Sequence, residues 1–212
     1  MELISINVAL PRELIWKGRV VTTGIFKEPV AGPVQMRKLN LDGDRQADLT
    51  VHGGPDKAVY AYPAEHYPYW RKKLQRPELS WGMFGENLTV EGMLESEINI
   101  GDTFRIGAAV VQVTQPRMPC YKLGLKFDRD DILKLFLKSL RSGFYFRVLQ
   151  EGQVNTGDLI ESLDRDRHNV TVTDITRLYS VDKENVTLKR RAIAVEALPE
   201  SWRNYFQDQL GM

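Results

Sequence analysis

The residue types best able to do chemistry gather in three short segments. The first is Thr114-Gln115-Pro116-Arg117-Met118-Pro119-Cys120-Tyr121-Lys122-Leu123, which holds the only cysteine of the chain. Pro116 and Pro119 stiffen this segment and remove two backbone donors. Arg117 and Lys122 favour the thiolate, the form that attacks electrophiles and binds metals. The same residue also fits a buried structural cysteine, a common role for a lone thiol. Both readings stay open on cysteine chemistry alone, and the rigid basic loop tips the balance toward function.

The second segment runs from Gly43-Asp44-Arg45 through His52-Gly53-Gly54-Pro55-Asp56-Lys57 to Tyr60. A strand containing Leu49 and Val51 is expected to enter the Gly-Gly-Pro loop. Such a loop turns backbone N–H groups toward an anion, and Lys57 adds charge. His52 could position a ligand or move a proton near neutral pH. A plain hairpin turn beside a histidine explains the same residues. The third segment is Gly82-Met83-Phe84-Gly85-Glu86-Asn87-Leu88-Thr89. Asn87 can both donate and accept along a heterocycle edge, and Gly85 lets a ligand approach the backbone. A loop leading into a strand at Leu88–Val90 is the plainer account. His66 and His168 read as surface residues, and three dispersed histidines with one cysteine give no zinc-ligand spacing.

These segments need a frame to position them, and most of it reads as β structure. Leu3 to Val8, Val34 with Met36, Leu39 and Leu41, Phe104 with Ile106, and Val110 to Thr114 are strand candidates, punctuated by glycine and proline. Gly-Asp pairs at 43–44, 101–102 and 157–158 mark turns beside them. Two helices are expected to interrupt this region. Pro63 would open one, with Tyr67, Trp70 and Leu74 on a face. Asp128 would cap the other, with Ile132, Phe136 and Leu140 as its apolar stripe and Gly143 at its end. The charge run Asp164 to Asn169 reads as a linker. Three short helices follow it, around Ile175, Leu178 and Tyr179, from Asp182 through Val186 and Leu188, and from Pro199 through Trp202, Phe206 and Leu210. Helices this short are marginal alone and should pack on one another. Many short strands so punctuated suggest a sandwich or a barrel, so the fold class is mainly β with helices (α+β), with a β domain over 1–165 and a small three-helix module over 166–212.

Composition narrows the function classes. A chain of 212 residues buries enough surface to need no disulfide staples. One cysteine excludes an internal disulfide, an all-cysteine zinc site and an iron–sulfur cluster held by this chain alone. Lys and Arg number 29 against 28 Asp and Glu, a net charge of +1. That balance argues against a nucleic-acid-binding barrel, which needs a broad basic patch. No segment resembles a leader, and no apolar run is long enough to span a bilayer. These features lead to an expectation of a soluble, cytoplasmic protein that binds neither membrane nor nucleic acid.

Taken together, the motifs resemble the MOSC domain family. The resemblance rests on Gly43-Asp44, Ala47-Asp48 and His52-Gly53-Gly54-Pro55-Asp56-Lys57-Ala58-Val59-Tyr60. It rests also on Phe84-Gly85-Glu86-Asn87-Leu88, on Gln115 to Leu123, and on Gly143-Phe144-Tyr145-Phe146-Arg147-Val148. It extends over essentially the whole chain and is strongest to the YiiM-like members, which end in a three-helix module. It implies a barrel-like domain that binds the molybdenum cofactor, molybdopterin, with Cys120 as the metal ligand. A soft thiolate suits a metal that already carries dithiolene sulfurs. Arg45, Lys57, Arg117 and Lys122 would face the anionic cofactor, and His52, Gly53, Gly54, Gly85 and Asn87 match further motif positions around it. Cys120 and His52 are the catalytic candidates.

The resemblance further implies reduction of N-hydroxylated compounds to the amine, N-hydroxylated nucleobases among them. Electrons would come from a separate reductase, because the chain has no second redox centre of its own. The three-helix module could dock that partner or could simply cap the barrel. Nothing in the residues fixes the oligomeric state, and a homodimer is allowed. Two other readings keep Cys120 central: a non-catalytic carrier of molybdopterin or sulfur, and a metal-free enzyme with Cys120 as nucleophile and His52 as base.

Overall fold

Apolar and polar residues alternate over stretches such as Thr103–Ile106, and strands form there. A computed structural model describes residues 1–48 and 53–212. Its strands are β1 (Glu2–Val8), β2 (Arg12–Trp16), β3 (Arg19–Thr23), β4 (Glu28–Pro29), β5 (Val34–Met36), β6 (Val59–Pro63), β7 (Leu88–Glu91), β8 (Thr103–Ile106), β9 (Ala109–Pro116), β10 (Phe144–Gln150), β11 (Gly152–Val154) and β12 (Ile160–Asp164). The helices are α1 (His66–Leu74), α2 (Tyr121–Phe127), α3 (Ile132–Ser139), α4 (Val172–Ser180), α5 (Val186–Ile193) and α6 (Glu200–Leu210).

Eight strands form one sheet in the order β12-β8-β9-β10-β6-β7-β1-β4. Its neighbours are antiparallel except β6 and β7, which run parallel across the connection that carries α1. The sheet does not close strand to strand, but it curls until its flanks meet. The Leu3 amide donates to the Asp158 carbonyl (2.9 Å), and the Ile160 amide donates to the Met1 carbonyl (2.9 Å). This is the expected mainly β, α+β, barrel-like fold.

Strand β6 shows how the sheet divides two cores. Val59 and Ala61 face one apolar cluster, while Tyr60 and Tyr62 face another. All five residues of the strand are buried, as a strand covered on both faces must be. The first cluster fills the curled sheet with Val111, Val113, Phe144 and Phe146, and it continues into Ile175, Leu178, Ala192 and Phe206 of the C-terminal helices. Those helices thus bury their apolar faces against the sheet, which short helices require. The second cluster is aromatic: Tyr62, Trp70, Phe84, Phe127 and Phe136 pack beneath α1, α2 and α3.

Local expectations meet the structure unevenly. Strands β1, β7, β8 and β9 and the third C-terminal helix, opened by Pro199, lie where the pattern places them. Val34 and Met36 form β5, but Leu41 only bridges back to Met36 and Leu39 is exposed. Pro63 ends β6 and does not open α1, which starts at His66; Pro68 is tolerated because first-turn amides have no helical partner. Asp128 closes α2, an unexpected helix, in a left-handed conformation; the helix expected after Asp128 is α3, and Asp131 precedes it. Gly143 does not end that helix, since Leu140 does; Gly143 leads into β10. Asn185, not Asp182, caps α5, accepting from the Leu188 amide.

His66 is not a surface residue. Its Nε2 lies 2.6 Å from Glu95 Oε2, and the other Glu95 oxygen accepts the Gly143 amide. His168 is half-buried beside Asp166, with 2.9 Å between Nδ1 and Oδ1, so the charge run is partly folded in.

Candidate functional site

Four loops converge on one open cleft of about 90 Å³. Gly24, Ile25 and Lys27 come from the strap between β3 and β4. Asp44 and Arg45 follow β5, while Gly53 and Lys57 precede β6. Gly85 and Asn87 come from the loop before β7. Arg117, Cys120 and Lys122 come from the β9–α2 corner, and Tyr60 of β6 and Tyr145 of β10 complete the walls. The described lining contains five cations, Lys27, Arg45, Lys57, Arg117 and Lys122, against one carboxylate, Asp44. A chain with a net charge of +1 therefore concentrates positive charge at one place, where it favours an anionic ligand.

Cys120 is half-buried and extended in backbone (φ −118, ψ 165), immediately before α2. Pro116 ends β9 and Pro119 precedes the cysteine, so the corner has little freedom to move the sulfur. Arg117 lies beneath it at 6% exposure. Its guanidinium sits between the Tyr60 and Phe136 rings, 5.5 and 5.3 Å from their centroids. Burial opposes its charge, yet the Tyr60, Cys120 and Tyr145 groups around it raise its pKa above the ordinary arginine value. Arg117 Nη1 is buried and has no hydrogen-bond partner among the described residues. A buried charged donor left unpaired is costly, so this atom is a direct sign of a missing anionic partner.

The opposite wall is internally satisfied. Lys27 pairs with Asp44, and Asp44 also accepts from the Ala9 amide and from Asn87 Nδ2, both at 2.9 Å. Burial pushes the Lys27 pKa down, against the pull of Asp44. Asn87 Oδ1 accepts the Tyr60 amide at 3.1 Å. Asn87 therefore lines the cleft with its amide committed to the protein. Gly85 (φ +82) is required by close packing of the chain itself, since a Cβ there would come 2.9 Å from Ile25 Cγ1. Behind this wall Glu86 is fully buried, accepting from the Gly82 and Phe84 amides at 2.8 and 3.0 Å and from Tyr67. Burial raises its pKa despite those bonds.

The structure brings Arg45, Gly53, Lys57, Gly85, Asn87, Arg117, Cys120 and Lys122 to a single cleft, as the motifs required. Gly54 stands one residue outside the lining and opens the turn Pro55–Lys57 with φ +81. His52, and the strand expected around Leu49 and Val51, lie outside the described residues. Sequence reasoning missed Lys27, Asp44 as its partner, Tyr60 and Tyr145. Only Asp44 carried a local signal, as half of a Gly-Asp pair. Among the described residues, no group of three or more His, Cys, Asp or Glu side chains could hold a metal ion. A metal bound at Cys120 would need further ligands from a cofactor.

The MOSC domain model matches residues 48–161, and the model of the YiiM-like, 3-alpha helix domain matches residues 170–210. The chain is 46% identical to the uncharacterized protein YflK of Bacillus subtilis (strain 168), over 96% of this chain and 91% of that one. It is 34% identical to a protein named Reductase from Gibberella moniliformis (strain M3125 / FGSC 7600), over 81% of this chain but only 30% of that longer one. The crystal structure of YiiM from Geobacillus stearothermophilus has the same fold, with a TM-score of 0.83 and 37% identity, covering 99% of this chain and 98% of that one.

Proposed function

The chain belongs to the MOSC domain family, with the YiiM-like three-helix domain at its C-terminal end, and from that premise we propose that it is a molybdenum-cofactor oxidoreductase. Its substrates are N-hydroxylated compounds, N-hydroxylated nucleobases among them, and its electrons come from a separate reductase. The observation that carries this reading is the Arg117 guanidinium, buried with an unpaired Nη1 beneath Cys120 in a cleft with five cations. A cysteine sulfur in the same cleft as the unpaired Arg117 donor fits a group that combines a soft metal, dithiolene sulfurs and a phosphate. A relative named Reductase is consistent with the direction of the chemistry.

When bound, the molybdenum cofactor supplies the two-electron, oxygen-accepting chemistry that side chains lack. The overall change is an N–OH group taking up two electrons and two protons to give N–H and water. The chain's own residues supply position and charge. Cys120 would offer its sulfur as a protein ligand to the metal. Arg117, Lys122 and Lys57, with the Gly53-Gly54 turn, would hold the cofactor's anionic part. Tyr60 and Tyr145 give one wall an aromatic surface for a planar substrate. The division at 165/166 is part of the same proposal: a cofactor-holding domain over 1–165 and a helical module over 166–212.

The test is expression in a host that makes the cofactor, followed by molybdenum and pterin analysis and dye-driven reduction of an N-hydroxylated base. Stoichiometric metal and turnover are expected, and Cys120→Ala should lose both. Protein that binds molybdenum but never turns over would be a carrier. Activity that persists without metal would make Cys120 a nucleophile instead.

A further inference from the structure

Polar contacts link the C-terminal module to the cleft, and one of them runs through Trp202. Trp202 of α6 packs edge-on against Tyr179 and Tyr205, with centroids 5.7 and 6.0 Å away, and tilts against Phe206 at 5.7 Å. Apolar packing alone would leave its indole N–H free to face any direction. Instead Nε1 donates to Gln115 Oε1 at 3.0 Å. Gln115 is 4% exposed, and its Nε2 donates onward to the Asp56 carbonyl at 3.2 Å. That carbonyl also accepts from Thr114 Oγ1 at 2.7 Å, and the Asp56 carboxylate accepts from Arg147 Nε at 2.9 Å. Asp56 adjoins Lys57, and the Lys57 amide closes the turn on the Gly54 carbonyl at 3.1 Å. Gln115 also pairs in register with Tyr145 and stands two residues before Arg117. A buried amide used at both ends is a fixed strut.

We propose that the three-helix module is part of the binding site, with Trp202 as a positioning residue that fixes the Gly53–Lys57 loop through Gln115. The module then sets the placement of Lys57 relative to Arg117, and so the strength of the cleft's cationic field at Cys120. This holds whichever anion fills the cleft, so it is independent of the redox reading and is tested without cofactor.

The single cysteine provides the probe. The purified full chain is alkylated with anionic iodoacetate and with neutral iodoacetamide, and the ratio of rates at Cys120 is compared with that of glutathione. The wild-type ratio should exceed the glutathione ratio, because the cations attract the anionic reagent. Trp202→Phe keeps the aromatic packing and removes only the donor. It should lower the ratio roughly three- to tenfold, the range of one lost hydrogen bond, with the iodoacetamide rate and melting temperature little changed. Gln115→Met should do the same, and the double variant should be no lower than the lower single variant. An unchanged ratio in Trp202→Phe, additive effects in the double variant, or a wild-type ratio equal to that of glutathione would each overturn the proposal. Failure of the redox reading would appear separately, as protein without molybdenum from a competent host.

Discussion

On the wall built by the β9–α2 corner, Arg117 and Lys122 are at most 8% exposed, and Arg117 Nη1 donates no hydrogen bond among the described residues. On the facing wall, Lys27 is as deeply placed but ends on Asp44, which is held in turn by the Ala9 amide and Asn87. The two walls treat their cations in opposite ways. A buried cation with an unpaired donor lowers the stability of the empty protein and strengthens binding when an anion arrives. A cation tied to a buried carboxylate contributes to the fold and has less left for a ligand. Substitution should therefore separate them: one wall should fail in stability, the other in affinity.

The largest effect is expected at Lys27. Lys27→Met would leave Asp44 buried with two neutral donors and no countercharge. Breaking a buried pair from one side costs about 3 kcal/mol or more, which for a chain of this size lowers the melting temperature by about 10 °C. Lys27→Met with Asp44→Asn should recover much of that loss, because no buried charge remains. Thermal melts of both variants check this. An undisturbed melt in the single variant would mean that the pair does not brace the strap wall.

Next comes Arg117→Met. It removes a buried cation with an unpaired donor and keeps an apolar stem between Tyr60 and Phe136. The melt should stay level or rise, while affinity for inorganic phosphate, measured by calorimetry on the cofactor-free chain, falls about tenfold or more. A destabilised Arg117→Met with unaltered phosphate affinity would exchange the roles of the two walls.

The corner wall was legible in the sequence, and the strap wall was not. Arg117, Cys120 and Lys122 lie within six positions, beside Pro116 and Pro119, so composition alone isolates them. Lys27 and Asp44 are 17 residues apart, and only the strap's path across the end of the sheet brings them together. Sheet elements with clean alternation, such as β8 and β9, were equally plain. Hairpin β2–β3 was hidden because its turn, Lys17-Gly18, is not among the strong turn pairs, although both residues have positive φ. Helix α2 was hidden, and Asp128 misplaced the start of α3. An aspartate suits a helix start by charge, and the structure uses it in left-handed form to finish α2. The buried His66 could not be read either, since its partner Glu95 lies 29 positions away.

The last effect is a pH dependence, and it belongs to Lys126 of α2, whose ammonium braces the strap. Lys126 Nζ ties the strap to the loop before β7, donating to the Ile25 carbonyl at 2.8 Å and the Gly82 carbonyl at 2.5 Å. Burial lowers its pKa to about 8, against the attraction of Glu86. A lysine whose folded pKa lies below its unfolded value binds fewer protons when folded, so the cost of its charge is present in full below pH 8 and relieved as pH rises toward 10.5. Stability should therefore increase by about 2 kcal/mol between pH 7.5 and 9.5. Burial lowers the Lys27 pKa as well, which adds to the same slope. Tyr60, Tyr62 and Tyr67, whose pKa values burial raises, reverse the trend only above their ordinary value of 10. Urea denaturation across this interval should show the rise in the wild-type chain and a shallower one in Lys126→Met. The corner wall should contribute none of it, so Arg117→Met should keep the wild-type slope. A slope that vanished with Arg117, or survived intact without Lys126, would place the titrating strain on the wrong side of the cleft.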